Sequence, residues 1–165
     1  MSLAGALLPE FDREMGVTRR LLERVPDGQF AWKPHEKSMT LGRLAEHVAE
    51  LPHWVIATLN RDDLEMTPRP ADHRPPASRA EVLALFDRNV AEARSALTGK
   101  SDGELLAPWT LLQAGKPLFT MPKATVLRWF VMNHLVHHRG QLSVYLRMRD
   151  VPIPSMYGPS ADEAL

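Results

Sequence analysis

Apolar residues recur at helical spacing in four stretches of this chain, separated by segments rich in proline and polar residues. In the first, from about Leu3 to Val25, Leu8, Phe11, Met15, Thr18, Leu22 and Val25 alternate steps of three and four, which draws one stripe along a helix. Pro26-Asp27-Gly28 ends it, and a polar connection runs through Trp32-Lys33-Pro34 to Ser38. The second stretch spans about Thr40 to Asn60, with Leu44, His47, Leu51 and Trp54 on one face and Pro52 inside it. That proline removes a backbone donor and predicts a bend. Four prolines between Arg61 and Ala77 predict an irregular loop. The third stretch opens on Ser78-Arg79-Ala80-Glu81, the pattern of a capping box, and continues through Val82, Phe86, Asn89, Val90, Ala93 and Leu97. The fourth and longest runs from about Pro122 to Met148, its proline suited to a first helical turn.

Between the last two stretches, Trp109 to Leu112 and Pro117 to Thr120 flank Ala114-Gly115-Lys116, a short hairpin or an ordered loop. The tail beyond Asp150 carries Pro152, Pro154 and Pro159 and is expected to be irregular. There is no internal repeat. The expected fold is all-α, a single-domain four-helix bundle over residues 1–165 with one long connection.

Composition narrows the function. Lys plus Arg and Asp plus Glu each number 20, a balance that does not point to nucleic acid. No cysteine is present, so thiol chemistry needs a thiol from outside. The start, Met1 to Glu10, has no basic residue, and its apolar run stops at Pro9. Neither a signal peptide nor a membrane span is expected, and the expected location is the cytoplasm.

Candidate chemistry lies in Asn133-His134-Leu135-Val136-His137-His138-Arg139-Gly140-Gln141. Two imidazoles four residues apart stand roughly 40° apart around a helix and about 6 Å along it, a pincer for a divalent ion. A third imidazole from another helix would complete a three-nitrogen face with a position left open. His137 has a permitted spacing from His134, but lies about 100° around from His138. Leu127, Phe130, His134, His138, Gln141 and Tyr145 form a continuous band, so His134 and His138 are the chosen pair and His137 falls at its edge. A lone histidine on an apolar stripe, as His47 is, reads equally as a packed residue. His35, His53 and His73 receive no role. A metalloprotease helix needs glutamate where Leu135 stands. A di-iron bundle needs acids in the fourth stretch, where none precedes Asp150. Nitrogen ligation favours zinc, nickel, copper, cobalt or iron over magnesium or calcium.

At Trp32-x-Pro34, Leu44-x-x-His47, His134-x-x-x-His138-Arg139-Gly140-Gln141-Leu142 and the tail Val151 to Ser160, the chain resembles the DinB-like (YfiT-type) superfamily of metal-dependent enzymes. The resemblance implies a four-helix bundle with one long connection and a metal held by His47, His134 and His138. Relatives with known activities transfer low-molecular-weight thiols, or isomerise a substrate with one. It also implies a homodimer, and its name refers to induction by DNA damage, not to DNA binding.

Zinc or nickel is the expected ion, with a low-molecular-weight thiol as a further cofactor and a small molecule as substrate. Glu50 reads as a hydrogen-bond acceptor behind a ligand, a base, or solubilising charge. Gln141 and Tyr145 read as ligand-orienting, substrate-touching or packing residues, and Arg139 as an anion anchor or a surface ion pair. The tail is expected to wall the open metal position. Two classes stay open: a thiol transferase or hydrolase, and a non-catalytic metal-binding protein of the stress response.

Overall fold

The computed structural model describes residues 2–164. Helix α1 (Leu3–Leu22) starts at Ser2, whose hydroxyl accepts from the Gly5 amide at 3.1 Å. Phe11, Met15, Thr18 and Leu22 are buried along it, and Val25 just beyond its end. The expected second helix is two: α2 (Leu41–Glu50) and α3 (His53–Asn60). Pro52 thus separates two helices at Leu51-Pro52 instead of bending one. Helix α4 (Arg79–Leu97) is capped by Ser78, which accepts from the Glu81 amide at 3.3 Å. The Glu81 carboxylate accepts from Ala77, one residue before the cap, so the capping box is not reciprocal. A reciprocal one, Ser101 with Glu104, starts the short α5 (Asp102–Leu106).

The expectation of an all-α bundle is corrected by a three-stranded mixed sheet. Strands β1 (Asp63–Glu65), β2 (Pro108–Gln113) and β3 (Lys116–Pro122) lie in that order, β1 parallel and β3 antiparallel to β2. The hairpin half follows from local chemistry. Trp109 and Leu111 are buried at period two, and Ala114 and Gly115, with φ of 50° and 72°, make the left-handed turn that suits a two-residue hairpin. The other half does not. Strand β1 comes out of the proline-rich loop, and only its partner far along the chain makes it a strand. Trp109, Leu111 and Val126 form a small apolar cluster beside the main core.

The last helical stretch is continuous: α6 (Lys123–Thr125), a π-helical segment Val126–Met132, and α7 (Asn133–Arg147). The wider π turn shifts the phase of everything after it. The buried face of α7 is Leu135, His138, Arg139, Leu142 and Leu146, while His134 and Tyr145 are half-buried and Gln141 exposed. The histidine band therefore runs along the margin of the core, not through its centre. Helix α2 packs against α4 and α7, and α1 against α4 and α7, so α2 and α7 stand side by side.

Behind α2, the first connection is clamped. The Leu41 amide donates to the Trp32 carbonyl at 2.7 Å and that of Gly42 to Phe30 at 2.9 Å. A Cβ on Gly42 would stand 2.6 Å from Phe30 Cδ1 and 2.9 Å from its Cβ. Gly42→Ala is therefore expected to destabilise the fold by about 1–3 kcal/mol, read as a lowered urea midpoint; an unchanged midpoint would show that Phe30 moves aside freely. The tail is irregular, as expected. Ile153 and Ser155 are buried, their amides donating to Asp162 and Glu163, which also pair with Arg147 and Arg20. Among the described residues, no helix is long and apolar enough to cross a membrane.

Candidate metal centre

His134 and His138 occupy the first turns of α7, directly after the π segment, and His47 faces them from α2. Their Nε2 atoms converge: His47 to His134 at 3.4 Å and His134 to His138 at 2.9 Å. One ligand atom from each lies within 4.8 Å of the other two. His137 is exposed and outside this group, its ring centroid 4.8 Å from that of His138. In a tetrahedral site with metal–nitrogen bonds of about 2.0–2.1 Å, nitrogens stand roughly 3.3 Å apart, so the three side chains suit one ion.

Protonation agrees with that fit. The His138 Nδ1–H donates to Gln141 Oε1 at 2.7 Å, which leaves the Nε2 lone pair aimed at the centre. Burial, then the neighbouring His138 and His134, pushes the His47 pKa down to about 3. Burial and the charges of His138 and His137 take His134 down to about 4. Burial lowers His138 as well, against the Gln141 hydrogen bond. The Phe130 carbonyl opposes the shift at His134, but is not aligned for a full hydrogen bond, and the buried Nδ1 has no partner. At neutral pH three uncharged imidazoles thus bring lone pairs together in a half-dry site. A hydrogen bond relieves one such pair; a cation relieves all three.

A second group lies one turn away. Glu46, only 1% exposed, bonds to His73 and pairs with Arg69 at 3.0 Å and Arg43 at 3.3 Å. Glu50 pairs with Arg69 at 2.7 Å and Arg43 at 3.4 Å. Two guanidiniums already satisfy these carboxylates, so the group pins the 61–77 loop onto α2. Glu50 is an ion-pair partner here.

Beside this latch a cavity of about 900 Å³ opens between α2, α3, α4 and the loop. His47 lies on its wall, and no tail residue does, so the expected wall comes from the 66–73 region instead. Arg139 is neither a surface pair nor an anion anchor. It is 1% exposed and bonds the Glu14 carboxylate at 2.7 Å, the Glu14 carbonyl at 3.2 Å, Thr18 Oγ1 at 3.1 Å and the Tyr157 hydroxyl. Tyr145 packs edge-on against Trp32, ring centroids 5.6 Å apart.

Residues 1–164 match the DinB family. The chain belongs to the DinB family. It is similar to YrdA of Bacillus subtilis (strain 168), an uncharacterized protein, with 28% identity over 159 residues, 94% of this chain and 89% of YrdA. Two DinB-like crystal structures share the fold. One, from Bacillus cereus ATCC 10987, has a TM-score of 0.72 and 23% identity over 91% of this chain and 95% of its own. The other, YjoA of Bacillus subtilis, has a TM-score of 0.68 and 19% identity over 89% and 96%.

In this DinB-family chain Gln141 fixes one imidazole, so Gln141→Leu is expected to weaken metal binding about 10–100-fold with the helical circular dichroism unchanged. Competition with a chromophoric chelator measures it, and equal affinity would show that the hydrogen bond does not orient His138. Sequence reading missed His73, Arg69 and Glu46. The available signal was Glu46, an acid set in the apolar run Leu44, Ala45, Val48, Ala49, where a buried charge demands a partner.

Proposed function

We propose that this protein is a metal-dependent enzyme in which His47, His134 and His138 hold a zinc or nickel ion and activate a low-molecular-weight thiol or water against a small electrophilic substrate. The observation that carries this reading is the convergence of three neutral imidazoles, one of which, His47, lines an open cavity, since a purely structural site is coordinatively closed. An ion held only by neutral ligands keeps its full charge, and so lowers the pKa of a thiol or water placed beside it.

The chain's own residues supply the rest. Gln141 fixes the His138 tautomer, and the Glu46–Arg69–His73 latch holds the loop that forms the outer wall. Trp54 packs edge-on against Phe130, ring centroids 5.1 Å apart, and the Phe130 centroid lies 5.6 Å from that of His134, shielding that imidazole from solvent. With no cysteine in the chain, the attacking sulfur of a thiol reaction comes from the cofactor.

Protein loaded with one equivalent of zinc or nickel is expected to turn over in a screen pairing bacterial thiols with alkyl halides, epoxides and esters. Activity should vanish with chelator and fall at least about 100-fold in His47→Ala while helical content stays constant. No metal-dependent turnover, with metal still bound, would sink the enzyme reading in favour of a non-catalytic metal-binding protein.

A further inference from the structure

The cavity beside His47 carries an unbalanced charge. Four arginines line it, Arg43, Arg61, Arg69 and Arg88, against one carboxylate, Glu50. Arg43 and Arg69 are neutralised by Glu46 and Glu50. Among the described residues, no carboxylate lies within salt-bridge distance of Arg61 or Arg88. Of the acids next to them in sequence, Asp62 pairs with Lys123 at 3.1 Å and Asp87 with Arg19 at 2.8 Å. The whole chain is neutral, so this local excess does not reflect general basicity.

The guanidiniums of Arg61 and Arg88 stand on different walls of one cavity. Arg61 follows the end of α3, whose His53, Ala57 and Asn60 also line the space at helical spacing. Arg88 lies on α4, one turn from Leu85. Helix α4 packs against α3, and Asn89, buried beside Arg88, ties α4 to α2 by donating to the Ala49 carbonyl at 2.9 Å. Trp54, Leu64 and Leu85 give the same cavity apolar lining beside the arginines and His47. A guanidinium is a planar donor fork suited to carboxylate and phosphate oxygens, and two of them over an apolar floor match a ligand that is anionic at one end and apolar along its body.

We propose that Arg61 and Arg88 form an anion-binding subsite for a small organic carboxylate or phosphate, with its apolar body over Trp54 and its far end directed at His47. The orientation toward His47 rests on the catalytic reading above; binding of the anionic head does not.

The test uses metal-free protein, so that no ion contributes. Hexanoate, hexyl phosphate and the neutral control hexan-1-ol are titrated calorimetrically into wild type, Arg61→Gln/Arg88→Gln and His134→Ala/His138→Ala. At least one anion should bind wild type about tenfold or more tightly than it binds the arginine variant, and the alcohol should bind both proteins alike. The tighter anion identifies the head group. The histidine variant should bind the anion as wild type does, which separates failure of the metal reading from failure of this one. Equal anion affinity in wild type and the arginine variant, alcohol binding as tight as that of the anions, or no anion binding at all would each overturn the proposal. Both arginines are exposed and, among the described residues, bridge no carboxylate, so the variant should keep its wild-type melting temperature, which verifies that it is folded.

Discussion

His134→Ala/His138→Ala should emerge from gentle purification with almost no transition metal, where wild type carries close to one equivalent. The double variant removes two of the three converging Nε2 atoms, so the loss should exceed the roughly 100-fold at the upper end for losing a hydrogen bond to a ligand. His137→Ala should keep its metal, because His137 is exposed and lies outside the group. Elemental analysis of the three proteins decides it; full metal content in the double variant would overturn the assignment. The same histidines give a pH signature in the metal-free protein. Burial holds His47 at about 3 and His134 at about 4 when folded, whereas the unfolded chain takes up these protons near the ordinary value of about 6.5. The unfolded state therefore binds more protons between those values. The stability conferred by neutral imidazoles is full above about pH 6.5 and is lost as pH falls through that window. Urea midpoints at pH 7, 5.5 and 4.5 should fall less steeply in the double variant than in wild type.

Arg139→Ala should be the most destabilising single change at a position that points away from the cavity. It strands the Glu14 carboxylate, 7% exposed, and empties the junction where α1, α7 and Tyr157 of the tail meet. Breaking a buried pair by removing one partner costs about 3–5 kcal/mol, a fall in Tm of roughly 6–20 °C for a chain of this size. Arg139→Met with Glu14→Gln should recover part of this, because no bare charge remains. Tyr157→Phe removes only hydrogen bonds and should cost less, about 1–3 kcal/mol. A Tm within 2–4 °C of wild type for Arg139→Ala, the shift expected for about 1 kcal/mol, would show that water or a side-chain shift rescues Glu14.

What the sequence determined was local. The stripe from Phe11 through Val25, the cap at Ser78, and the pairing of His134 with His138 depend on residues within a turn or two of each other, where helix geometry alone fixes direction. His47 is different. On its stripe it reads as an ordinary packed histidine, and family resemblance, not spacing, singled it out; the packing of α2 on α7 then brought it within 3.4 Å of His134. The all-α expectation failed at β1, because three residues of a proline-rich loop become a strand only when β2 offers its edge. Arg139 was misjudged because its charge was weighed above its position: four residues after Leu135 and three before Leu142, it lies on the apolar stripe of α7 and is 1% exposed, with Glu14 brought to it from α1. The cavity, with its two arginines that pair with no carboxylate among the described residues, was invisible because residues from α2, α3, α4 and the 61–77 loop build it together. A residue's neighbours along one helix are written in its own spacing, but its neighbours across helices are set by how the elements pack, and that packing is a property of the whole chain.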